Sequence, residues 1–244
     1  MSERIKFLYR SSKLRYWKNL IFKKNYTSSK FIFIHVPKTS GTYLSNIFRK
    51  HNLTNKISMN SHDAKVFQLN PDNKYLISIR EPFSRLTSSF YDAQKLNRQG
   101  KLNDKLYDHI FSNYNTFNHL CENIFNKKRG EDKIIKKFFF LTHHIITGYS
   151  YFFYKINPNI FKPSYIFEHE NLENDIKTFL KRFNIRKVNK IDKIKNTKYN
   201  KFLSLLSKKN LKTFFGKREF EIYQSLKKNK KKINNNFDSN LNGY

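Results

Sequence analysis

Cysteine, acidic residues and long apolar runs are all scarce in this sequence. Its 244 residues include one cysteine, Cys121, which excludes an intramolecular disulfide framework and a CxxC metal site and favours a reducing compartment. No apolar run approaches the length that spans a bilayer. Residues 1–30 are basic but lack the continuous apolar core and the small-residue cleavage site of a signal peptide. From these absences we expect a cytoplasmic protein.

The shortage of acidic residues makes the chain strongly basic. There are 49 Lys and Arg against 18 Asp and Glu, a formal net charge of +31, and such an excess is typical of proteins that bind nucleic acid or an anionic surface. Much of it is lysine accompanied by abundant asparagine, isoleucine and phenylalanine, a bias that an AT-rich genome produces without any binding function. A non-enzymatic nucleic-acid-binding protein therefore stays an alternative, and nucleic acid is not our expected partner.

The stretch FIFIHVPKTSGTYL, residues 31–44, carries the first functional signal. A short β-branched and aromatic run ends at Pro37, a polar turn follows, and apolar residues then recur at helical spacing. This pattern predicts a strand, a loop and a helix. A loop that opens into a helix N-terminus offers unpaired N–H groups, the positive end of the helix dipole and, from Lys38, an ammonium group. We expect it to bind a phosphorylated ligand.

This loop lacks the GxxxxGK[ST] pattern of nucleoside triphosphatases, because no glycine lies five residues before a Gly-Lys pair. It resembles the 5′-phosphosulfate loop of the carbohydrate sulfotransferases that use 3′-phosphoadenosine 5′-phosphosulfate (PAPS). In that family the loop commonly reads HxPKTGGT, and here residues 35–42 read HVPKTSGT, with a serine for the usual first glycine. The resemblance implies that PAPS is bound by Pro37, Lys38, Thr39, Ser40, Gly41 and Thr42.

A second signal lies in residues 74–96, KYLISIREPFSRLTSSFYDAQKL. An apolar strand delivers Arg80 to its C-terminal edge, where open α/β sheets bind ligands, and a helix follows Pro82. This resembles the family's 3′-phosphate site, in which a strand ends in Arg-Asp/Glu-Pro and a serine, here Ser88, stands eight residues after the arginine. The planar guanidinium group suits bidentate phosphate binding. The resemblance implies that Arg80 and Ser88 hold the 3′-phosphate.

Several residues are candidates for the general base. A hydroxyl acceptor loses its proton as it attacks sulfur, and histidine, with an ordinary pKa near ~6.5, suits that role at neutral pH. We choose His62, which lies between the cofactor loop and the next strand, where many of these sulfotransferases have a histidine. The alternatives are Asp63, Glu81 and His35, and we interpret the adjacent His143 and His144 as structural or acceptor-site residues.

Later segments of the chain carry further signals. Residues 165–168 predict a buried strand and residues 172–183 an amphipathic helix, a pair that the family typically has. The segment from residue 195 to 199 loosely resembles the Asn-Lys-Ser segment that often closes over the cofactor, which implies cofactor contacts for Lys195 and Thr197. The charge run that begins at residue 227 has no apolar period and predicts disorder.

The N-terminal leader, residues 1–29, mixes aromatic residues with lysine and arginine. A basic amphipathic segment of this kind can lie on an anionic membrane, which would make the protein membrane-peripheral. A helix packed on the domain, or a loose arm, is the other interpretation.

The resemblance implies a single P-loop-like α/β domain over residues 30–226, with a central, mainly parallel sheet flanked by helices, followed by a disordered tail over residues 227–244. It implies in-line transfer of the sulfuryl group from PAPS to a hydroxyl of a carbohydrate or glycolipid acceptor, with Lys38 at the leaving oxygen. No metal is expected, since no cluster of His, Cys, Asp and Glu has ligand spacing. A kinase-like phosphotransferase, a nucleic-acid-binding protein and a sulfotransferase that binds the nucleotide without turnover are the alternatives.

Overall fold

Four parallel strands form the sheet of this computed structural model, which describes residues 31–59, 74–102, 104–154, 157, 161–185 and 200–237. The order across the sheet is β2-β1-β3-β4, and every pairing between neighbours is parallel. The predicted α/β class with a mainly parallel central sheet is confirmed. The strands are β1 (Phe31–Ile34), β2 (Ile57–Met59), β3 (Lys74–Ile79) and β4 (Tyr165–Glu168).

Helices cover both faces of the sheet and continue to one side of it. Many of them begin at a residue that suits the position, such as Asp104 and Thr116, whose side chains accept hydrogen bonds from the first turn. The helices are α1 (Gly41–Lys50), α2 (Pro82–Arg98), α3 (Lys105–Asn113), α4 (Phe117–Glu122), α5 (Glu131–Leu141), α6 (His143–Ile146), α7 (Tyr149–Phe152), α8 (Leu172–Arg182), α9 (Leu205–Phe215) and α10 (Lys217–Asn236).

The two faces of the sheet have different side chains because successive residues of a strand point to opposite faces. In β1, Phe31 and Phe33 pack on the face that α1 and α8 cover, whereas Ile32 and Ile34 pack on the face that α7 and α10 cover. All four side chains are buried. A continuous apolar run is what a parallel strand with helices on both faces requires.

A third apolar cluster lies among the helices to one side of the sheet. Its members come from α2, α3, α4, α5, α6 and α9, and phenylalanine dominates it, with Phe90 in contact with Phe117 and Phe138 at ring-centroid distances of 5.3 and 6.3 Å. This cluster fixes α2 against α6. Both helices begin or end near the edge of the sheet that carries the polar residues described below.

The strand order creates a topological switch point between β1 and β3. The chain runs from β1 to β2 on one side of β1, and it then returns to β3 on the other side. In open parallel sheets, ligands bind in the crevice outside the carboxyl ends of the strands at such a point. The segments that follow β1 and β3 are the two that carry the sequence signals.

The sequence predicts a disordered tail from residue 227, and residues 227–236 of that segment belong to α10 (Lys217–Asn236). The Lys230 ammonium lies 3.0 Å from a Glu168 carboxylate oxygen and 2.8 Å from one of Asp175. The Asn234 amide donates to and accepts from the backbone of Ile166 on the edge strand β4. Long-range pairing with acidic residues and a strand edge therefore orders a segment whose own sequence has no apolar period. The leader, residues 1–29, lies outside the described residues.

Candidate active site

The loop after β1 has an unusual backbone that is fixed by buried hydrogen bonds. Lys38 and Ser40 both adopt left-handed conformations, with φ of 64° and 78°, which cost non-glycine residues energy. Between them, the buried Thr39 hydroxyl donates to the Val36 carbonyl at 2.7 Å and shares a 2.6 Å hydrogen bond with the Ser78 hydroxyl of β3. The loop is thus tied to the neighbouring strand, and its shape is set before any ligand binds.

Helix α1 begins directly after this loop, at Gly41. A Cβ at this position would lie 1.8 Å from Cδ2 of His35, so the close approach of the imidazole ring requires glycine. The Ser40 side chain makes no capping hydrogen bond to the helix, and it contacts His169 instead. Pro37 is buried and Thr42 is exposed in the first turn. The first N–H groups of α1 therefore face the sheet edge without a serine cap, which is the arrangement that binds anions.

Arg80, the residue after β3, connects the second signal to the first. Its Nη1 donates to the carbonyl of Lys38 at 3.2 Å, and its Nε donates to the Ser84 hydroxyl at 3.0 Å. The Tyr149 hydroxyl accepts from the Arg80 N–H and donates to its carbonyl, each at 2.7 Å. Arg80 as a whole residue is 6% exposed. An anion that bound its guanidinium group would therefore be partly shielded from water, where charge-assisted hydrogen bonds are strong.

Helix α2 presents a polar stripe to this edge. Ser84, Ser88 and Asp92 are spaced by four residues and therefore lie on one side of the helix. The first of them bonds Arg80, and the last forms an ion pair with Lys38. Ser88, which is half-buried, lies one turn from each. The stripe thus faces the loop along its length, and it brings the predicted serine to the same side as the predicted cations.

Lys38 and His144 both contact Asp92 at this edge. The ammonium lies 3.0 Å from one carboxylate oxygen of Asp92, and Nδ1 of His144 lies 3.3 Å from the other. The hydrogen bond with His144, followed by the Lys38 charge, lowers the pKa of Asp92 to about 2 although burial acts to raise it. The carboxylate is therefore ionised throughout the physiological range. Sequence reasoning missed Asp92, whose four-residue spacing from Ser88 was the available signal.

A second imidazole, which sequence reasoning missed, contacts the loop at Ser40. His169 directly follows β4, and its Nδ1 lies 2.5 Å from the Ser40 hydroxyl oxygen. Burial, and then the positive charges of Arg80 and Lys201, lower the pKa of His169 to about 4. The ring is neutral at pH 7. No local pattern marks this residue, because it reaches the loop only through the pairing of β4 with β3.

Two of the predicted alternatives for the general base have other contacts. The Glu81 carboxylate caps α2 by accepting from the Ser84 N–H at 2.7 Å, while the Glu81 N–H donates to Glu170 at 3.2 Å. The His35 ring is packed over Gly41. The other predicted site residues lie outside the described residues; they are His62, Asp63, Lys195 and Thr197.

The described residues contain neither a metal-binding cluster nor a membrane-spanning helix. Among them, no group of three or more His, Cys, Asp or Glu side chains could hold a metal ion. In the same part of the chain, no helix is long and apolar enough to cross a membrane.

A family model described as the sulfotransferase family matches residues 19–240. The chain belongs to the sulfotransferase family. No curated protein and no solved structure matches it. The resemblance found in the loop is confirmed at the level of the family, and the parallel four-stranded sheet with flanking helices agrees with its P-loop-like fold. The protein is accordingly a transferase of sulfuryl groups.

Proposed function

We propose that this sulfotransferase moves the sulfuryl group of PAPS to a hydroxyl of a carbohydrate or glycolipid acceptor by in-line transfer. The observation that carries the proposal is the 3.2 Å hydrogen bond from the Arg80 guanidinium to the Lys38 carbonyl. It joins two cationic, anion-binding segments at the carboxyl ends of neighbouring strands on the two sides of a switch point. A donor with a phosphosulfate at one end and a 3′-phosphate at the other needs two such segments at close range.

The loop residues supply the first segment. The N–H groups at the start of α1 and the Lys38 ammonium bind the 5′-phosphosulfate in this proposal, with Pro37, Thr39, Ser40, Gly41 and Thr42 setting the shape of the loop. Lys38 has a further role. PAPS supplies a sulfuryl group on a phosphate leaving group, and an ammonium beside the bridging oxygen stabilises the negative charge that develops there.

Arg80 and Ser88 supply the second segment. The guanidinium group is oriented by Ser84 and by the backbone clamp of Tyr149, so little side-chain entropy is lost when it binds phosphate. The hydroxyl of Ser88 adds a neutral donor from the same stripe of α2. Selection of a 3′-phosphorylated nucleotide over ordinary adenine nucleotides follows from this pair. Lys195 and Thr197 remain predicted cofactor contacts, and His62 remains a predicted base.

The carbohydrate acceptor is supported by the resemblance of the loop to carbohydrate sulfotransferases. The net charge of +31 would also attract an acidic glycan. Contact of the leader, residues 1–29, with an anionic membrane and a cytoplasmic location remain predictions from the sequence. No metal enters the proposal, because Lys38 and Arg80 provide the positive charge.

Turnover of PAPS tests the proposal. Purified protein is incubated with PAPS and a panel of soluble oligosaccharides, without magnesium, and the release of 3′-phosphoadenosine 5′-phosphate (PAP) is followed by chromatography. We expect release by the wild type and a loss of about 10²–10³-fold in Lys38→Ala. The matched control is Lys50→Ala, an exposed lysine at the end of α1, which should turn over at the wild-type rate. Absence of PAP release, or consumption of ATP with magnesium instead, would contradict the proposal.

A further inference from the structure

The two carboxylate oxygens of Asp92 contact different groups, the Lys38 ammonium of the loop after β1 and the imidazole of His144. One oxygen is 3.0 Å from the Lys38 ammonium, and the other is 3.3 Å from Nδ1 of His144. The three side chains come from three different segments, the loop after β1, helix α2 and the short helix α6. Their meeting is therefore a product of the fold and not of local sequence.

We propose that Asp92 and His144 act as a carboxylate–imidazole dyad in which His144 takes the proton of the attacking hydroxyl and Asp92 orients the ring. This inference rests on the proposed function, and it assigns the proton acceptor to a residue other than His62. The dyad stands beside Lys38, the group proposed to stabilise the leaving oxygen. The base and the leaving-group cation are thus held on a single carboxylate.

The position of His144 is fixed by the backbone as well as by its ring. Its carbonyl accepts from Nη1 of Arg85 at 2.9 Å and from the Ser89 hydroxyl at 3.0 Å. Arg85 is fully buried and ion-paired with Glu219, so the anchor is rigid. A ring that donates Nδ1–H to a carboxylate carries its lone pair on Nε2. Such an outer partner fixes the tautomer and the orientation of the ring.

The transfer balances with this assignment. A bond forms between the acceptor oxygen and sulfur while the bond from sulfur to the 5′-phosphate oxygen breaks. The electron pair of the broken bond stays on the phosphate oxygen beside Lys38, and the hydroxyl proton moves to Nε2 of His144. The resulting imidazolium is stabilised by the Asp92 carboxylate. The low pKa of Asp92 supports this role, because the carboxylate keeps its charge at every pH at which the enzyme would work.

Two other histidines at this edge are less suited to the role. His169 is held neutral by burial and nearby cations, with its pKa lowered to about 4, so it is a weak base. His35 is packed over Gly41 in the loop. His143, the neighbour of His144 in α6, is exposed, and its ring centroid lies 5.6 Å from that of His144. The matched control is His119, an exposed histidine of α4.

The test compares His144→Gln with His119→Gln, using water as the acceptor so that no glycan need be known. Release of sulfate from radiolabelled PAPS gives kcat and KM, and calorimetry gives the affinity for PAP. We expect His144→Gln to lower kcat by about 10²–10⁴-fold while PAP affinity stays within about threefold of wild type. His119→Gln should match the wild type in both.

Asp92→Asn separates a positioning role from a structural one. The variant should have a lower kcat than wild type. It should bind PAP at least as tightly, because the Asp92 carboxylate no longer competes with the ligand for Lys38. A merely damaged site would bind PAP more weakly. The dyad is overturned if kcat of His144→Gln stays within about threefold of wild type, or if its affinity for PAP decreases as much as its kcat. It is also overturned if the decrease in kcat occurs in His62→Gln and not in His144→Gln. A wild type that neither binds PAP nor hydrolyses PAPS would instead contradict the proposed function.

Discussion

Helix α2 carries two ion pairs of very different character. Arg85 and Glu219 are 0% and 2% exposed, whereas Lys38 and Asp92 are 22% and 31% exposed, although both pairs have a nitrogen–oxygen distance of 3.0 Å. Glu219 also accepts from the backbone N–H groups of Tyr149 and Ser150. The buried pair is enclosed by protein donors, and the other lies at the sheet edge.

The comparison separates a structural ion pair from one that a ligand can exchange. A buried pair is difficult to break, because removal of one partner leaves a desolvated charge behind. A half-exposed pair contributes little to stability, since water and salt compete for both charges. Helix α2 therefore carries a fixed anchor at Arg85. At Asp92 it carries a carboxylate whose contact with Lys38 the proposed donor can replace. Substitutions at buried contacts should accordingly lower the free energy of unfolding more than substitutions at half-exposed ones.

Glu219→Ala should have the largest effect on stability. Its loss leaves the Arg85 guanidinium buried without a counter-charge, so we expect the free energy of unfolding to fall by about 3–5 kcal/mol. Urea denaturation measures this. Glu221→Ala, an exposed glutamate on the same helix, should change the free energy by no more than about 0.5 kcal/mol. If the two variants were equally stable, the buried pair would not be the anchor that we describe.

Acidification should destabilise the protein through His169. Its pKa is about 4 in the folded protein against 6.5 for the ordinary group, so between these values the unfolded chain binds the proton and the folded protein does not. Stability therefore falls as pH decreases through this window, at no more than about 1.4 kcal/mol per pH unit, and less where water screens the ring.

The measurement is the free energy of unfolding from pH 7 to pH 4 in wild type and His169→Gln. The variant should show a shallower decline, because its amide does not titrate. His119→Gln, which replaces an exposed histidine on α4, should follow the wild-type curve. Parallel curves for wild type and His169→Gln would contradict the shift.

Lys38→Met should change stability far less than Glu219→Ala. The half-exposed pair with Asp92 contributes about 0–1 kcal/mol to the free energy of unfolding, although the same substitution should abolish most of the activity. Thermal unfolding followed by circular dichroism checks the first part. A decrease in the free energy of unfolding as large as that of Glu219→Ala would contradict the distinction between the two pairs.

Ser40→Gly should have the smallest effect. Glycine adopts the φ of 78° without the cost that serine incurs, a gain of about 1 kcal/mol, but the hydrogen bond with His169 is lost at a cost of about 1 kcal/mol. The expected change in the free energy of unfolding is close to zero. In His169→Phe, where the bond is already absent, the same glycine substitution should be stabilising. A double-mutant cycle that shows no coupling between the two positions would contradict this account.

The strand–loop–helix segments around Lys38 and Arg80 could be predicted from the sequence because their signals are local. An apolar run, a turn and a helical period stand within a few residues of each other in both cases. The position of the site at the sheet edge then follows from the general rule for where ligands bind in parallel α/β folds. The spacing from Arg80 to Ser88 likewise needs one strand and one helix only.

The remaining site residues depend on contacts between distant segments. His144 meets Asp92 because α6 packs on α2 in the helical cluster, and His169 meets Ser40 because β4 pairs with β3. Neither packing can be read from residues that are neighbours in the chain. The end of α10 likewise depends on distant contacts, since Lys230 lies beside carboxylates more than fifty residues away.

The most direct test of the central claim is a calorimetric titration with PAP and with ADP, which lacks the 3′-phosphate, in the absence of magnesium. We predict that the wild type prefers PAP and that Arg80→Lys loses about 1.5–3 kcal/mol of that preference, because a lysine cannot reproduce the guanidinium fork. Arg98→Lys, at the exposed end of α2, should leave the preference unchanged. Equal affinity of the wild type for PAP and ADP, or binding that requires magnesium, would contradict the assignment of this edge to PAPS.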